Sequence, residues 1–334
     1  MELVSVSSDG IELGALKDIK SLDVDIGNTN DFVLTVGAAS WPLDVISKAA
    51  YWYADEYGEL GGKIGCVKST TGKKQVELKG YTWRGLLAQH VISPEEGDDY
   101  KIVSGEANEV LAGLIEPVFD GMFVVSDEVS QFSISKYQFK RYDTLLNGII
   151  TMLSSVGARL DIQYVPGSYR EHTYNPGYVL VKAVPIVDYS DEIEFSQDGK
   201  IDFTAEDYRM GVNHLICLGR GELKDRQVVH LYADEDGNWG DTQHFFGIDE
   251  MESVYDYSSA ESMEDLVSYG MQRAKELGNY KSLQISLNTI EAQIGDIVGG
   301  QEQITGITLK KQIAEIIVKI DSKGNLSMTH KVGD

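Results

Sequence analysis

Residues 75–87 read Gln75-Val76-Glu77-Leu78-Lys79-Gly80-Tyr81-Thr82-Trp83-Arg84-Gly85-Leu86-Leu87. The first five residues alternate between polar and apolar side chains, and this period of two predicts a β-strand with one buried face. From Thr82 to His90 the spacing is helical instead, with Leu86, Leu87 and Val91 on one side. The stretch therefore predicts a strand that passes directly into a short helix. We expect Trp83, Leu86 and Leu87 to pack that helix against the neighbouring β domain.

Strand patterns dominate both ends of the chain. Near the start, Phe32-Val33-Leu34-Thr35-Val36 is rich in residues that favour strands. Near the end, Ile316, Val318 and Ile320 share one face of a predicted strand, and Lys323-Gly324-Asn325 predicts a turn into the last one. Each end of the chain therefore predicts a small antiparallel β domain.

The middle of the chain mixes helices with strands. Helical spacing begins after Ser104, which suits an N-cap, and it recurs from Leu145 to Val156. A third helix is predicted after the capping box Ser258-x-x-Glu261, and Gly278 suits its C-terminal end. Strand patterns lie between these helices, so this region is α+β.

These patterns together predict an α+β, β-rich fold in which two small antiparallel β-barrel domains flank α+β insertion domains. Since no Pro/Ser-rich linker separates them, we expect the boundaries in short turns. The predicted domains are an N-terminal β-barrel with the short helix (1–93), an α+β domain (94–200), a β-rich segment with a helix (201–277) and a C-terminal β-barrel (278–334).

The composition is acidic, with 29 Lys and Arg against 53 Asp and Glu residues and a net charge of −24. At 42% hydrophobic and 25% charged residues, the composition excludes a disordered chain, a collagen and a disulfide scaffold. Because affinity for phosphate depends on clustered Lys and Arg, the acidity argues against a nucleic-acid-binding protein. It does not argue against a surface that nucleic acid passes without binding.

The cysteines and the N-terminus indicate the compartment. Cys66 and Cys217 lie far apart with no C-x-x-C pattern, which predicts two reduced, packed thiols in a protein made in a cytosol. The segment Met1-Glu2-Leu3-Val4-Ser5 has neither the basic region nor the apolar run of a signal peptide. No stretch approaches the roughly 18 apolar residues of a membrane-spanning helix, so we expect no membrane insertion.

Few segments resemble catalytic or metal-binding motifs. Ser133-Ile134-Ser135-Lys136 matches S-x-x-K without its companion motifs, and a solvated strand is the simpler interpretation. Asp234-x-Asp236-x-Asn238 resembles the first half of a calcium loop. However, Trp239 and Phe245 stand where that loop needs Gly and Glu, so we expect a hairpin turn at Asp236-Gly237.

The remaining candidates are no stronger. Gly219-Arg220-Gly221 follows the predicted strand Asn213 to Leu218 but lacks the rest of a phosphate-binding pattern, so a turn or bulge is expected. The six histidines include neither H-E-x-x-H nor a close pair. They are His90, His172, His214, His230, His244 and His330. We therefore predict no catalytic, cofactor-binding or metal-binding residues, and no cofactor.

Three segments resemble the tail hub proteins of long-tailed phages and prophages, which include the hub modules of tail-associated lysins. The first comprises Glu59-Leu60-Gly61-Gly62-Lys63-Ile64-Gly65 and the stretch from Val76 to Leu87, which contains a G-x-x-W-R-G-L-L start of the predicted short helix. The second runs from Asn213 to Glu222, with Asp225-Arg226, and on to His230-Leu231-Tyr232-Ala233-Asp234. The third comprises Ile294-Gly295-Asp296-Ile297-Val298, Gly306-Ile307, residues 316–320 and Val332-Gly333.

This resemblance implies a structural virion component at the tail tip or baseplate, made in the cytoplasm of a bacterial host. Three chains would place six barrels in a ring that caps the tail tube, adapts its sixfold symmetry to a threefold tip and forms part of the DNA channel. The implied partners are two further copies in a homotrimer, a distal-tail or tail-tube protein, a tape-measure protein and a tip or fibre protein. DNA would pass without specific binding, and the net acidity of the chain suits such a channel.

Two other functions stay open beside a structural hub. Hubs that carry a lysin have it as a further C-terminal domain, whereas this chain ends at Asp334 after the segment resembling the last barrel, so a cell-wall hydrolase is not expected. A carbohydrate-binding receptor module would use exposed aromatics such as Tyr51, Trp52, Tyr53 and Trp239. Packing within strands or at interfaces is the more common role of such residues.

Overall fold

The computed structural model describes residues 1–38, 49–170, 173–190, 202–286, 292–301 and 304–332. Its strands, numbered in chain order, are β1 Leu3–Ser7, β2 Glu12–Ala15, β3 Ile19–Ile26, β4 Asp31–Gly37, β5 Ala49–Ala54, β6 Tyr57–Thr70, β7 Gln75–Thr82, β8 Ile102–Glu106, β9 Phe123–Val125, β10 Ser133–Gln138, β11 Ala158–Val165, β12 Ser168–Arg170, β13 Thr173–Asn175, β14 Tyr178–Pro185, β15 Asp202–Tyr208, β16 His214–Leu218, β17 Val228–Ala233, β18 Trp239–Gly240, β19 Glu252–Asp256, β20 Tyr280–Ser286, β21 Ile297–Gln301, β22 Thr308–Ile320 and β23 Leu326–Val332. The helices are α1 Trp83–Ala88, α2 Ala107–Phe119, α3 Leu145–Ser154 and α4 Met263–Leu277.

The chain divides into two compact units. The first unit comprises Met1–Phe203, Gln284–Gln301 and Lys310–Asp334, and the second comprises Thr204–Leu283 and Glu302–Leu309. The four domains expected from the sequence are a finer division, which stays a prediction. The β-rich character of the chain is confirmed.

A long sheet in the first unit joins strands from both ends of the sequence. Its order is β23-β22-β3-β4-β7-β6-β5-β1-β2, and β21 also pairs with β22. The link between the ends is the antiparallel pair β3–β22, in which Val24 lies opposite Val318. The strands predicted at both ends are therefore confirmed, and they share one sheet. Closure of these strands into two barrels stays a prediction.

The period of two in these strands separates a buried face from a polar face. Phe32, Leu34 and Leu78 are fully buried, while Thr35 and Glu77 point to the opposite side. Because successive side chains of a strand alternate between faces, the apolar positions collect on one side of the sheet. Burying them removes apolar surface from water and stabilises the sheet.

The short helix α1 begins directly after β7, as the opening stretch predicts. The Thr82 hydroxyl accepts a hydrogen bond from the Gly85 backbone N–H (3.2 Å) and caps the helix. Trp83 and Leu87 are fully buried, but Leu86 is only half-buried. Val91 is exposed because the helix ends at Ala88, before the chain has completed the turn that would place it on the same face.

The mixed middle of the first unit contains α2 and α3, which pack against the three-stranded sheet β11-β14-β9. The prediction of Ser104 as an N-cap is wrong, because β8 continues to Glu106 and the Glu106 carboxylate accepts from the Glu109 backbone N–H (3.0 Å). α3 is confirmed, with Thr144 as its N-cap.

In the second unit, α4 packs on the sheet β18-β17-β16-β19. Gly270 permits this contact, because a Cβ there would lie 2.6 Å from Cys217 Sγ. Cys217 is buried, as expected, but Cys66 of the first unit is exposed rather than packed. The capping box lies at Ser262 and Asp265, not at Ser258 and Glu261, because the helix starts four residues later than expected.

None of the described helices combines the length and the apolar character that crossing a membrane requires.

Candidate functional site

The polar face of the long sheet in the first unit forms an open groove over β23, β22, β3, β4 and β7. We call it the acidic groove. Six carboxylates and two lysines line it, namely those of Asp23, Asp25, Asp31, Glu77, Glu315 and Asp321 with Lys319 and Lys331. The excess of carboxylates over lysines makes the lining of the groove net acidic, while Lys79 outside the lining lies 3.0 Å from the Glu77 carboxylate.

Both groove lysines lie beside carboxylates. Lys319 Nζ is 3.1 Å from Asp23 Oδ2, and Lys331 Nζ is 2.8 Å from Glu315 Oε1. The Asp25 carboxylate instead accepts hydrogen bonds from the backbone N–H groups of the turn that follows β3, including Thr29 (3.0 Å). The lysines are therefore engaged with acidic partners, which suits a surface that does not attract phosphate.

The first hub-like segment centres on the side chain of Arg84, which is 1% exposed. Its Nε and Nη2 both donate to the Glu59 carboxylate, and Nη2 also donates to the Leu160 carbonyl (3.0 Å). Arg84 thus ties α1 to β6 and β11. The adjacent glycines allow close strand approach, since a Cβ at Gly62 would lie 2.2 Å from the Tyr81 carbonyl oxygen.

The second and third segments contain comparable buried polar residues. Asn213 accepts from the Met251 backbone N–H (2.8 Å) and donates to the Asp249 carbonyl (2.7 Å). Asp296, fully buried, accepts from Arg159 Nε (2.7 Å) and from the Val187 backbone N–H (2.9 Å). We call Arg84, Asn213 and Asp296 the buried anchors.

Each buried anchor joins backbone segments that are distant in sequence, and none lines the acidic groove. A buried charge or amide needs such partners, because an unsatisfied polar group inside a protein is costly. Gly333, the last residue of the third hub-like segment, lies outside the described residues.

A cluster of side chains in the second unit was missed by the sequence analysis. His214 Nδ1 lies 2.7 Å from Glu250 Oε1 and 3.1 Å from Glu252 Oε1. On the other side of the ring, His214 Nε2 lies 2.8 Å from His230 Nδ1. Three strands and the loop before β19 contribute these residues, so no local spacing in the sequence could indicate the cluster. We call it the histidine cluster.

The weak motif matches have structural roles. Ser133 and Lys136 lie exposed on β10, so that S-x-x-K match is a solvated strand, as expected. The Asp234 carboxylate accepts from the backbone N–H groups of Asp236 (2.9 Å) and Asn238 (2.8 Å), as in a hairpin turn. A hydrogen bond from the side-chain amide of Asn238 (3.0 Å), together with these backbone hydrogen bonds, holds the pKa of Asp234 below its ordinary value.

The glycine pair and the other histidines of the described residues lie outside the acidic groove and the histidine cluster. Gly221 has a φ of +97° in the turn between β16 and β17, which confirms a turn there. His90 and His244 are exposed, whereas His330 is fully buried in the first unit. His172 lies outside the described residues.

Comparison with solved structures gives full-length matches. The 43 kDa tail protein of prophage MuSo2 from Shewanella oneidensis is 12% identical with a TM-score of 0.52, and the match covers 99% of this chain and 98% of that one. The tail protein from Neisseria meningitidis MC58 is 14% identical with a TM-score of 0.50, over 100% and 96% of the two chains. A chain of the p2 virion baseplate in its activated conformation is 11% identical with a TM-score of 0.50, over 99% of each chain. No protein-family model matches the sequence, and no curated protein sequence is similar to it.

This is the fold of phage tail and baseplate proteins. The tail-protein fold extends over both units and over all three segments that carry the resemblance. The expectation of a non-enzymatic, structural protein agrees with these neighbours, which are tail and baseplate proteins.

Within this tail-protein fold, the aromatic residues considered for carbohydrate binding are mostly packed inside. Trp52 is fully buried and Tyr53 is 5% exposed. Tyr51 is half-buried beside Trp83, with ring centroids 6.2 Å apart, and Trp239 is half-buried against the core of the second unit. These four side chains therefore serve packing, which was the alternative interpretation from the sequence.

Proposed function

We propose that this chain is a structural hub of a phage or prophage-derived tail, located at the tail tip or baseplate. The observation that carries the proposal is the full-length fold match to the Shewanella prophage tail protein, with a TM-score of 0.52 over 99% and 98% of the two chains. The buried anchors support it, since the segments that resemble hubs contain polar residues engaged in holding the fold together.

In the proposed assembly, three copies form a ring that caps the tail tube and adapts its sixfold symmetry to a threefold tip. Each copy contributes two barrel domains, one from each end of the sequence, with the α+β regions between them. The partners are a distal-tail or tail-tube protein, a tape-measure protein and a tip or fibre protein. Closed cyclic symmetry is the usual outcome for such head-to-tail contacts between identical chains.

The acidic groove supports a role for this chain in the DNA channel. Six carboxylates in the lining of the groove repel phosphate, and the two lysines of that lining are engaged with Asp23 and Glu315. A channel wall that attracted DNA would multiply that attraction over many phosphates and slow its passage. DNA therefore passes the hub without specific binding.

The decisive experiment is a three-dimensional reconstruction of the particle that contains this chain, with the chain located by a Fab raised against the purified protein. We expect three copies in a ring at the end of the tail tube. Fab bound along the tube or at the head would contradict the hub. Six copies or one copy at the tip would contradict the trimer. Fab pre-absorbed with the purified chain is the control for labelling.

Two activity measurements separate the hub from the alternative functions. The purified chain is expected to leave bacterial cell walls intact in a zymogram and to give no signal on a glycan array. Clearing of the cell walls would favour a tail-tip hydrolase. Glycan binding would favour a receptor module.

A further inference from the structure

We propose that the histidine cluster of the second unit binds a first-row divalent metal ion of the zinc type, with His214, Glu250 and Glu252 as ligands. One nitrogen and two carboxylate oxygens of these residues lie within 4.8 Å of one another. Nothing in the hub role requires an imidazole beside two carboxylates at this place.

The distances between the side chains are close to those of a metal site. A tetrahedral zinc ion with ligands at about 2.0–2.2 Å holds its ligand atoms about 3.3 Å apart. His214 Nδ1 already lies 2.7 Å from Glu250 Oε1 and 3.1 Å from Glu252 Oε1. Slight separation of these atoms admits the ion, and Glu252, with its side chain 57% exposed, leaves an entry path from solvent.

The backbone positions the three ligands independently. His214 and Glu252 are direct neighbours across the parallel pair β16–β19. Glu250 is held by the loop before β19, where Asn213 binds the backbone at Asp249 and Met251 on either side of it. Gln243 Nε2 also donates to Glu250 Oε1 (2.7 Å). Such preorganisation lowers the entropic cost of binding an ion.

The imidazole of His214 is oriented as in metal-binding histidines. When Nδ1 ligates a metal, the remaining ring hydrogen is on Nε2, which lies 2.8 Å from His230 Nδ1. The Nδ1 atom of His230 accepts this hydrogen in the tautomer that carries the His230 proton on Nε2. The ring also stacks on Tyr232, with centroids 4.3 Å apart. His230 is therefore a positioning residue that fixes the tautomer and the plane of the ligand.

The ligand chemistry favours zinc over calcium or magnesium. Imidazole suits Zn²⁺ and other first-row ions, whereas Ca²⁺ takes six to eight oxygen ligands and Mg²⁺ prefers oxygen ligands with retained water. The cluster supplies three protein ligands, which leaves one position of a tetrahedral site for water. The bound ion ties the loop at Glu250 to strand β16, and this loop carries the exposed side chains of Phe246 and Ile248.

The test titrates zinc chloride into the full chain, followed by calorimetry and by thermal unfolding. We expect one zinc ion per chain and a rise in melting temperature. The exchanges His214→Gln and Glu252→Gln should abolish or greatly weaken binding. Because the Glu252 side chain is exposed, we expect the substitution Glu252→Gln to leave the fold intact, and circular dichroism checks this. His230→Gln should weaken zinc affinity by about 10- to 100-fold without abolishing it.

His244→Gln is the matched control, because His244 is an exposed histidine of the same unit outside the cluster. It should bind zinc as the unmodified chain does. Cobalt(II) in place of zinc should give the intense visible absorption of a four-coordinate site, and this absorption should disappear in Glu252→Gln. The proposal is overturned if zinc does not bind, or if Glu252→Gln binds zinc as strongly as His244→Gln.

Discussion

His330 on β23 is a fully buried histidine that lies opposite Ile316 of β22 in the long sheet of the first unit. Burial disfavours the charged imidazolium and lowers the pKa of His330 from 6.5 to about 4. In the unfolded chain the same ring takes up its proton near its ordinary value. Between the two pKa values the unfolded state binds more protons than the folded state, so acid favours unfolding there.

We therefore expect the free energy of unfolding to fall as pH drops from about 6.5 to about 4, by roughly 3 kcal/mol from this residue alone. Urea unfolding at a series of pH values measures the slope. The variant His330→Leu lacks the titrating group and should lose that part of the slope. An identical slope in wild type and variant would show that His330 does not supply it.

Leu86 and Leu87 are neighbours in α1 with different surroundings, since Leu87 is fully buried and Leu86 is half-buried. Leu87→Ala leaves a cavity and should cost ~2–5 kcal/mol, whereas Leu86→Ala should cost clearly less. Urea unfolding of both variants gives the comparison. Equal losses would mean that the two leucines contribute equally to the core.

At the scale of elements, the start of α4 depends on Ser262. Its hydroxyl accepts from the Asp265 backbone N–H (3.1 Å), and the Asp265 carboxylate accepts in return from the Ser262 backbone N–H (3.2 Å). Ser262→Ala should destabilise the second unit by about 1 kcal/mol. Ser258→Ala is the matched control and should leave stability unchanged, as hydrogen exchange of the α4 amides can test. If the α4 amides exchanged faster in Ser258→Ala but not in Ser262→Ala, the result would support Ser258 as the N-cap, as the sequence predicts.

Two turns of the chain share the pattern D-x-x-G-N, at Asp234 to Asn238 and at Asp321 to Asn325. In both, the carboxylate accepts from two backbone N–H groups and from the side-chain amide of the Asn. These oxygens are engaged in the turn, so millimolar calcium should leave the melting temperature unchanged. A calcium loop at Asp234 would instead raise the melting temperature by several degrees when calcium is added. That rise would be lost in Asp234→Ala and retained in Asp321→Ala.

The sequence predicted those elements whose signal is local. The period of two in residues 75–79 and the helical spacing from Leu145 correspond to β7 and α3. Local sequence does not determine where a helix starts, because S-x-x-E at Ser258 and S-x-x-D at Ser262 satisfy the same rule and only packing selects between them. The histidine cluster could not be predicted from the sequence. His214 and Glu252 are 38 residues apart along the chain, and only the register of the pair β16–β19 places them side by side.

At the scale of the whole molecule, the acidic groove should face the lumen of the assembled ring. Screening limits the force between carboxylates and phosphates to about 8–10 Å at physiological salt, so the groove must lie at the wall to act on DNA. Exchanging Asp23, Asp25 and Glu77 together for Lys should slow DNA ejection from particles that still assemble. The corresponding exchanges to Asn and Gln should have a smaller effect.

Particle reconstruction gives the second readout for the lumen. A lumen lined mainly by Lys and Arg would contradict the conduit interpretation. A neutral lumen would leave the hub proposal standing and contradict only the argument from charge. An acidic outer wall alone would indicate that the net charge of −24 serves solubility.

The pairing of β3 with β22 has a consequence for biosynthesis. Val24 leaves the ribosome long before its cross-strand partner Val318 is made. Until then β3 is an open edge, and its backbone donors and acceptors can pair with those of another nascent chain. Sheets that depend on such distant partners also form slowly. On a polysome, where many copies emerge side by side, this open edge therefore favours pairing between neighbouring nascent chains before folding is complete.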